Sequence, residues 1–337
     1  MKTISYISIL LISGITYLMN PSEQTFGKRN IESRKQKILH ENKTAEKSKR
    51  GCSIFTFCFD EKVMFCGNLD HPNPDGYIKF LKASDEGFGG LLHGYFAKTN
   101  TQSWIAYEGG MNEKGLAFDT NGLPNANMNP HPQKPYSWTN ANFWNLLLRK
   151  CATVNDAIKL AEQFNFSGNM NFQIHVADST GKAVVISPGA NGELCFTRKL
   201  ANGKFLISTN NNNADPKHGY VPSPCKRYET IFSMLKKVEN KHSVKNEYLA
   251  SVLDSVHFER ASYNTIYSYI ADLKKGLFHV YYFHQYNEAI TLNLNKELLL
   301  EEHIVKVADL VSEETRNNAL QEYENYKRLE KGKENLK

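Results

Sequence analysis

A chain of 337 residues with 19 Phe and 17 Tyr can bury a sizeable core, as one large domain or two ordinary ones. Its net charge of +6 belongs to one end: residues 21–51 hold nine Lys/Arg against four Asp/Glu, Lys2 adds one more, and residues 52–337 hold 31 of each sign. That balance excludes nucleic-acid binding by the folded body, which has no basic block.

Lys2 and the apolar residues 4–19 read as the basic and apolar regions of a secretory signal. Residues 1–20 are therefore expected to send the protein to the periplasm or out of the cell. The apolar stretch is short for a membrane span, and a leader left uncleaved would act as a transient membrane attachment. Residues 21–51 are polar, charged and poor in aromatics, and read as a pro-segment removed on maturation. Lys47-Ser-Lys-Arg-Gly51 is not the apolar run that precedes a lipidated cysteine.

The composition changes at Cys52. Residues 52–59 and 63–67 read as two strands of a hairpin turning at Asp60-Glu-Lys62. Ser53, Phe55, Phe57 and Phe59 share one face, and Cys52, Ile54, Thr56 and Cys58 the other. Both faces are mostly apolar, which places this strand inside a layered structure. If the Gly51–Cys52 bond is cut, thiol and α-amine belong to one residue. The amine has a reference pKa of about 7.7–8.0, so near pH 7 a useful fraction is neutral and can take the thiol's proton. The other cysteines, 58, 66, 151, 195 and 225, have irregular spacings with no C-x-x-C, so they point to neither a zinc centre nor a disulfide framework.

Residues 70–135 are rich in Gly, Asn and Pro and predict only short strand-like pieces. Helices are expected at 139–150 and 153–164, the second capped by Thr153 with Asp156 three residues on. Residues 172–177 and 182–187 flank Asp178-Ser-Thr-Gly181 as a second hairpin, and 205–209 is a strand running into Asn210–Asn213. Helices follow at 226–238 and 244–257, strands at 277–283 and 289–294, and a charged helix from Ser312 to the end. No 20–50-residue repeat is present. Segregated hairpins and helix pairs favour an α+β domain over residues 52–337, with helices covering two sheets.

Several motifs in this order resemble the choloylglycine hydrolase and penicillin V acylase family, linear amide C–N hydrolases of the N-terminal-nucleophile superfamily. They are Cys52 at a strand start, Asn68-Leu-Asp70, Gly109-Gly-Met-Asn-Glu-Lys-Gly-Leu116, Ser208-Thr-Asn210, Pro224-Cys-Lys-Arg-Tyr228 and Thr265-Ile-Tyr-Ser268. The resemblance implies a four-layer αββα sandwich, removal of everything before Cys52, and hydrolysis of a non-peptide N-acyl amide through a thioester. It implies no metal or organic cofactor, a small-molecule substrate, and leaves homo-oligomers allowed.

Carried over position by position, Cys52 is the expected nucleophile and Asp70 the acid that holds and orients its α-amine. Asn210 matches an amide donor to the oxyanion, a role whose loss typically costs about 2.7–4 kcal/mol of barrier. Asn121, in Asp119-Thr-Asn-Gly-Leu-Pro124, is the candidate second donor. Arg227 matches an arginine near the nucleophile. Gly67 is a departure, because bile salt hydrolases usually carry Arg just before the Asn of Asn68-Leu-Asp70.

Other readings compete. An acyltransferase of the isopenicillin N acyltransferase type differs only in whether an amine or water takes the acyl group. An inactive secreted binding protein on the same fold is made more than formal by Gly67. Eleven His allow a Cys–His pair by count, yet no papain-like Cys-Gly-Ser-Cys-Trp context exists. Trp104, Tyr107, Trp138 and Trp144 are candidates for an apolar acyl pocket.

Overall fold

The computed structural model describes residues 51–136, 142–220, 223–239, 241, 244–260 and 263–334. The expected signal, the pro-segment up to Arg50, and Trp138 lie outside the described residues. In chain order the elements are β1 (Ser53–Phe59), β2 (Lys62–His71), β3 (Gly76–Leu81), β4 (Gly90–Lys98), β5 (Ser103–Asn112), β6 (Ala117–Met128), α1 (Asn142–Lys150) and α2 (Val154–Glu162). Then come β7 (Gly168–Ala177), β8 (Ala183–Pro188), β9 (Leu194–Arg198), β10 (Phe205–Ser208), α3 (Lys226–Val238), α4 (Asn246–Asp254), β11 (Glu259–Arg260) and β12 (Tyr263–Asp272). The rest are β13 (Leu277–Tyr282), β14 (Ile290–Asn293), α5 (Leu294–Glu297), β15 (His303–Lys306), α6 (Val307–Leu310) and α7 (Glu313–Glu334).

The strands form two antiparallel sheets. The first runs β10-β1-β2-β12-β13-β14, with β11 paired to β12; the second runs β15-β3-β4-β5-β6-β7-β8-β9. The alternation expected for β1 holds. Phe55, Phe57 and Phe59 join a core with Ile231 and Leu235 of α3 and Leu249 and Leu253 of α4. Thr56 and Cys58 turn the other way and meet His175 of the second sheet and Gly181 in its β7–β8 turn. On that sheet's far side α1 and α2 cover Phe118, Ile174, Val176 and Ile186. The result is the helix–sheet–sheet–helix sandwich. Each fully buried large apolar side chain stabilises it by about 1.5–3 kcal/mol.

The turn between β1 and β2 is tighter than expected, with Phe59 opposite Lys62 and Asp60 at φ 46°. α2 begins on the expected capping box of Thr153 and Asp156. The expectation of short pieces over residues 70–135 is corrected: β3 to β6 are four full strands at the centre of the second sheet. β2 also runs past Gly67 to His71, carrying buried Asn68 and Asp70. Asn68 Nδ2 donates there to the Leu253 carbonyl at 2.9 Å, while its buried Oδ1 accepts no hydrogen bond.

The layer between the sheets is unusually polar. His175 lies 3.0 Å from Thr56 Oγ1 and 2.9 Å from Ser208 Oγ. His93 Nδ1 lies 3.0 Å from the Tyr267 hydroxyl, and the Tyr269 hydroxyl donates to Asp119 Oδ2 at 2.6 Å. All of these side chains are buried.

Candidate active site

β1 begins beside a cavity of about 520 Å³ lined by Cys52, Asp70 and Asn210 together with aromatic residues. The antiparallel register of β1 and β2 pairs Ser53 with Asn68, which brings Asp70 alongside Gly51. The approach is so close that a Cβ on Gly51 would collide with Asp70 Oδ2. That oxygen is buried and accepts no hydrogen bond, while Oδ1 accepts from Thr265 Oγ1 at 2.5 Å. A β-bulge in β12 between Thr265 and Tyr267, across from Asp70 and Leu69, sets Thr265 against this carboxyl.

The electrostatics follow from burial. Desolvation raises the Asp70 carboxyl to about 7, although Arg227, Thr265 and His257 each pull it down. The Cys52 thiol is pushed well above its ordinary value by burial and by the negative charges of Asp70, Glu108 and Asp119, against a hydrogen bond from the Asp70 backbone. Such a thiol does not ionise unaided; it needs a base at hand.

Arg227, at the start of α3, ties the site together. Its Nη1 donates to the Gly51 carbonyl at 2.5 Å, the Cys52 carbonyl at 2.8 Å and Ser53 Oγ at 3.0 Å. Its Nη2 donates to Asn210 Oδ1 at 2.8 Å. Asn210 follows β10 and donates from Nδ2 to the Gly122 carbonyl at 2.9 Å. Cys52, Asp70, Asn210 and Arg227 are thus brought together.

Asn121 is not. Its neighbours Thr120 and Gly122 line the cavity, but its own side chain is fully buried, and neither amide atom has a hydrogen-bond partner. Strand alternation puts it on the face of its partner Gln173, whose amide donates to the Thr209 and Asn211 carbonyls. The expected second side-chain donor thus does not itself line the cavity, and its amide is buried between two residues that do. β6 bulges just after it, between Gly122 and Ala126.

Gly67 has a structural explanation. It pairs with Tyr269 on β12, and a Cβ at Gly67 would sit 2.6 Å from the Tyr269 hydroxyl and 2.7 Å from its ring. The space that a side chain would need is filled by the tyrosine that reaches Asp119.

Of the aromatic residues expected at a pocket, Tyr107 and Trp144 line it, joined by Tyr95, Phe172 and Tyr263. Trp104 is 46% exposed and stands apart. Sequence reasoning gave no role to Glu108, His71 or Thr265, although Thr265 opens one of the motifs noted there. Glu108 and His71 each adjoin a motif already noted, one before Gly109 and one after Asp70. His71 lines the same cavity, but its ring stacks on Tyr95 at 3.6 Å, its Nδ1 accepts from the Asn73 N–H at 3.1 Å, and burial lowers its pKa to about 4. All six thiols are free.

No curated protein matches the chain in sequence. Among solved structures, two variants of the conjugated bile acid hydrolase from Clostridium perfringens share its fold. The first has a TM-score of 0.56 at 16% identity, and the second 0.55 at 16%; each alignment covers 76% of this chain and 96% of the other. Penicillin V acylase from Agrobacterium tumefaciens gives 0.48 at 13% identity, over 76% of this chain and 91% of its own. The family described as acyl-coenzyme A:6-aminopenicillanic acid acyl-transferase matches residues 60–286. The chain therefore belongs to that acyl-transferase family, a family of enzymes on the N-terminal-nucleophile hydrolase fold.

Proposed function

We propose that the mature chain begins at Cys52 and hydrolyses a small N-acyl amide through a thioester on that residue. One observation carries this reading: Asp70 Oδ2, buried and without a hydrogen-bond partner, abuts Gly51 at the peptide that would be cut. Cutting Gly51–Cys52 leaves an ammonium group beside that oxygen, and a charge-assisted pair forms where the intact amide supplies none. The scissile carbonyl already receives the Arg227 guanidinium, which would stabilise negative charge on it.

In the cycle, the α-amine takes the Cys52 proton as sulfur attacks the substrate carbonyl. Asn210, its Oδ1 held by Arg227, donates from Nδ2 to the oxyanion. The C–N bond breaks, and the proton passes from the ammonium to the leaving amine. Water then attacks the thioester, losing a proton to the same amine, and the acid and the free thiol are regenerated. Tyr95, Tyr107, Trp144, Phe172 and Tyr263 form an aromatic wall suited to an apolar acyl group. Residues 1–51 serve export and maturation in this reading, which puts the working enzyme outside the cytoplasm.

N-terminal sequencing of the purified protein, with a hydrolysis screen across acyl chains, tests the proposal. An active enzyme whose terminus lies upstream of residue 52 would overturn it, as would a Cys52→Ala protein of undiminished activity. A second reading, acyl transfer to an amine, draws on the description of the matched family. Product analysis with and without an added amine acceptor separates the two. An inactive binding protein would leave Cys52 no faster than a free thiol toward an iodoacetamide probe.

A further inference from the structure

Away from the cavity, four acid and imidazole side chains from three parts of the chain converge. His257 follows α4, Glu259 opens β11, His284 follows β13 and Glu322 lies on α7. Ligand atoms of His257, Glu259 and His284 all fall within 4.8 Å of one another. Glu322 Oε1 is 3.6 Å from His284 Nδ1, and the Tyr326 hydroxyl donates to Glu322 Oε1 at 3.0 Å.

The hydrogen bonds of the two imidazoles fix what their other nitrogens present. His284 Nε2 lies 3.1 Å from the Phe258 carbonyl, and a carbonyl only accepts, so Nε2 carries the hydrogen. In the neutral ring Nδ1 is then a bare lone pair. It is buried, has no hydrogen-bond partner, and looks at a carboxylate oxygen. His257 differs in being hydrogen-bonded on both sides. Its Nδ1 lies 2.5 Å from the Asp254 carbonyl and 3.0 Å from Asp254 Oδ1, while its Nε2 abuts the Glu259 carboxylate.

A lone pair set against a carboxylate repels unless a cation lies between them. The two rings stack at 4.5 Å. One divalent ion would give His284 Nδ1 a partner and lie against the carboxylates around it. We propose that His257 Nε2, His284 Nδ1 and the carboxylates of Glu259 and Glu322 bind a single divalent transition-metal ion of the zinc class. Two imidazole nitrogens and two carboxylates form a donor set that zinc accepts in tetrahedral geometry. Each imidazole already has the outer oxygen acceptor on its far nitrogen that usually orients a metal-bound histidine.

The ion's role is structural. It pins α7 to the segment that ends at Phe258, whose N–H donates to Thr265 Oγ1 at 2.8 Å, and Thr265 in turn donates to Asp70. No ligand lines the cavity, and the inference stands independently of the reaction proposed above.

The test uses the full chain, stripped with EDTA, desalted after zinc addition and analysed for metal, with melting followed in parallel. One zinc per chain is expected to remain bound and to raise Tm. Crystals soaked in zinc should give an anomalous peak between the two imidazoles. Glu322→Gln, which keeps side-chain size and all six cysteines, should still melt cooperatively and bind zinc at least about tenfold more weakly. Zinc retained equally by Glu322→Gln, no zinc retained by the unmutated chain, or anomalous density only on thiols would each overturn the proposal. The map of the unmutated protein decides the matter if the variant fails to fold.

Discussion

Arg227 fixes which way Asn210 points. Nη2 donates to Asn210 Oδ1 at 2.8 Å, so the carbonyl end of the amide is taken and its NH₂ end faces Gly122 and the cavity. The same guanidinium spans the Gly51 and Cys52 carbonyls. Lysine at this position keeps the charge but lacks the planar fork. Arg227→Lys is expected to lower kcat by about 10–100-fold, the effect of losing one charge-assisted hydrogen bond of about 1.5–3 kcal/mol. KM should change much less. Steady-state kinetics that found only KM raised would assign Arg227 to substrate binding instead.

Asp70→Asn preserves shape and the contact with Thr265 but removes the charge that would hold an α-ammonium. Activity is expected to fall by about 10–100-fold, in line with the strength of a hydrogen bond to a charged group. Mass spectrometry of the purified variant separates two causes. A chain still uncut identifies a defect in maturation, and a correctly cut but slow enzyme identifies a defect in catalysis.

Gly67→Ala tests the close approach of β2 to Tyr269. A methyl group there would sit 2.6 Å from the hydroxyl and 2.7 Å from the ring of a fully buried side chain that has no room to retreat. Overpacking of this kind costs about 1–3 kcal/mol. The urea midpoint should fall with little change in m-value. An unchanged midpoint would mean that Tyr269 moves freely, and with it the hydroxyl that donates to Asp119.

The uncut chain should lose stability as pH rises. Burial lifts both Asp70 and Asp119 to about 7, whereas an unfolded Asp titrates near 3.9. Each group therefore binds its proton more tightly in the folded state. The stability this supplies is full below about pH 4 and lost as pH climbs through about 7. Denaturant unfolding of a Cys52→Ala chain, with its terminus verified upstream, should show that decline. Asp119→Asn should shrink it, because the amide never ionises and can still satisfy both Tyr269 and the Thr120 N–H. Equal slopes with and without Asp119→Asn would remove Asp119 from the account.

Much of the fold is legible in the sequence where one periodicity is clean. The alternation of Phe55, Phe57 and Phe59 against Ile54 and Thr56 gives the sandwiched strand, and Thr153 with Asp156 gives the start of α2. β4 and β5 were illegible because their glycines read as turns. They are there for close packing: a Cβ on Gly94 would strike the Ala106 carbonyl, and one on Gly109 the His93 ring. In the site, Cys52, Asp70, Asn210 and Arg227 are readable because a motif flags each of them. Thr265 is placed against Asp70 by a bulge that no local pattern reveals, and β6 bulges again just after Gly122, next to Asn121.

The polar seam between the sheets has a mechanical consequence. Two greasy faces can glide over each other at little expense, since one hydrocarbon contact replaces another. His93 with Tyr267, His175 with Thr56 and Ser208, and Tyr269 with Asp119 behave instead as dowels, each matching its socket at a single offset. A glide of even one residue would empty all three sockets together. The two leaves of the sandwich are in this way keyed to one alignment, and the thiol at the edge of one leaf inherits that alignment toward the aromatic wall on the other.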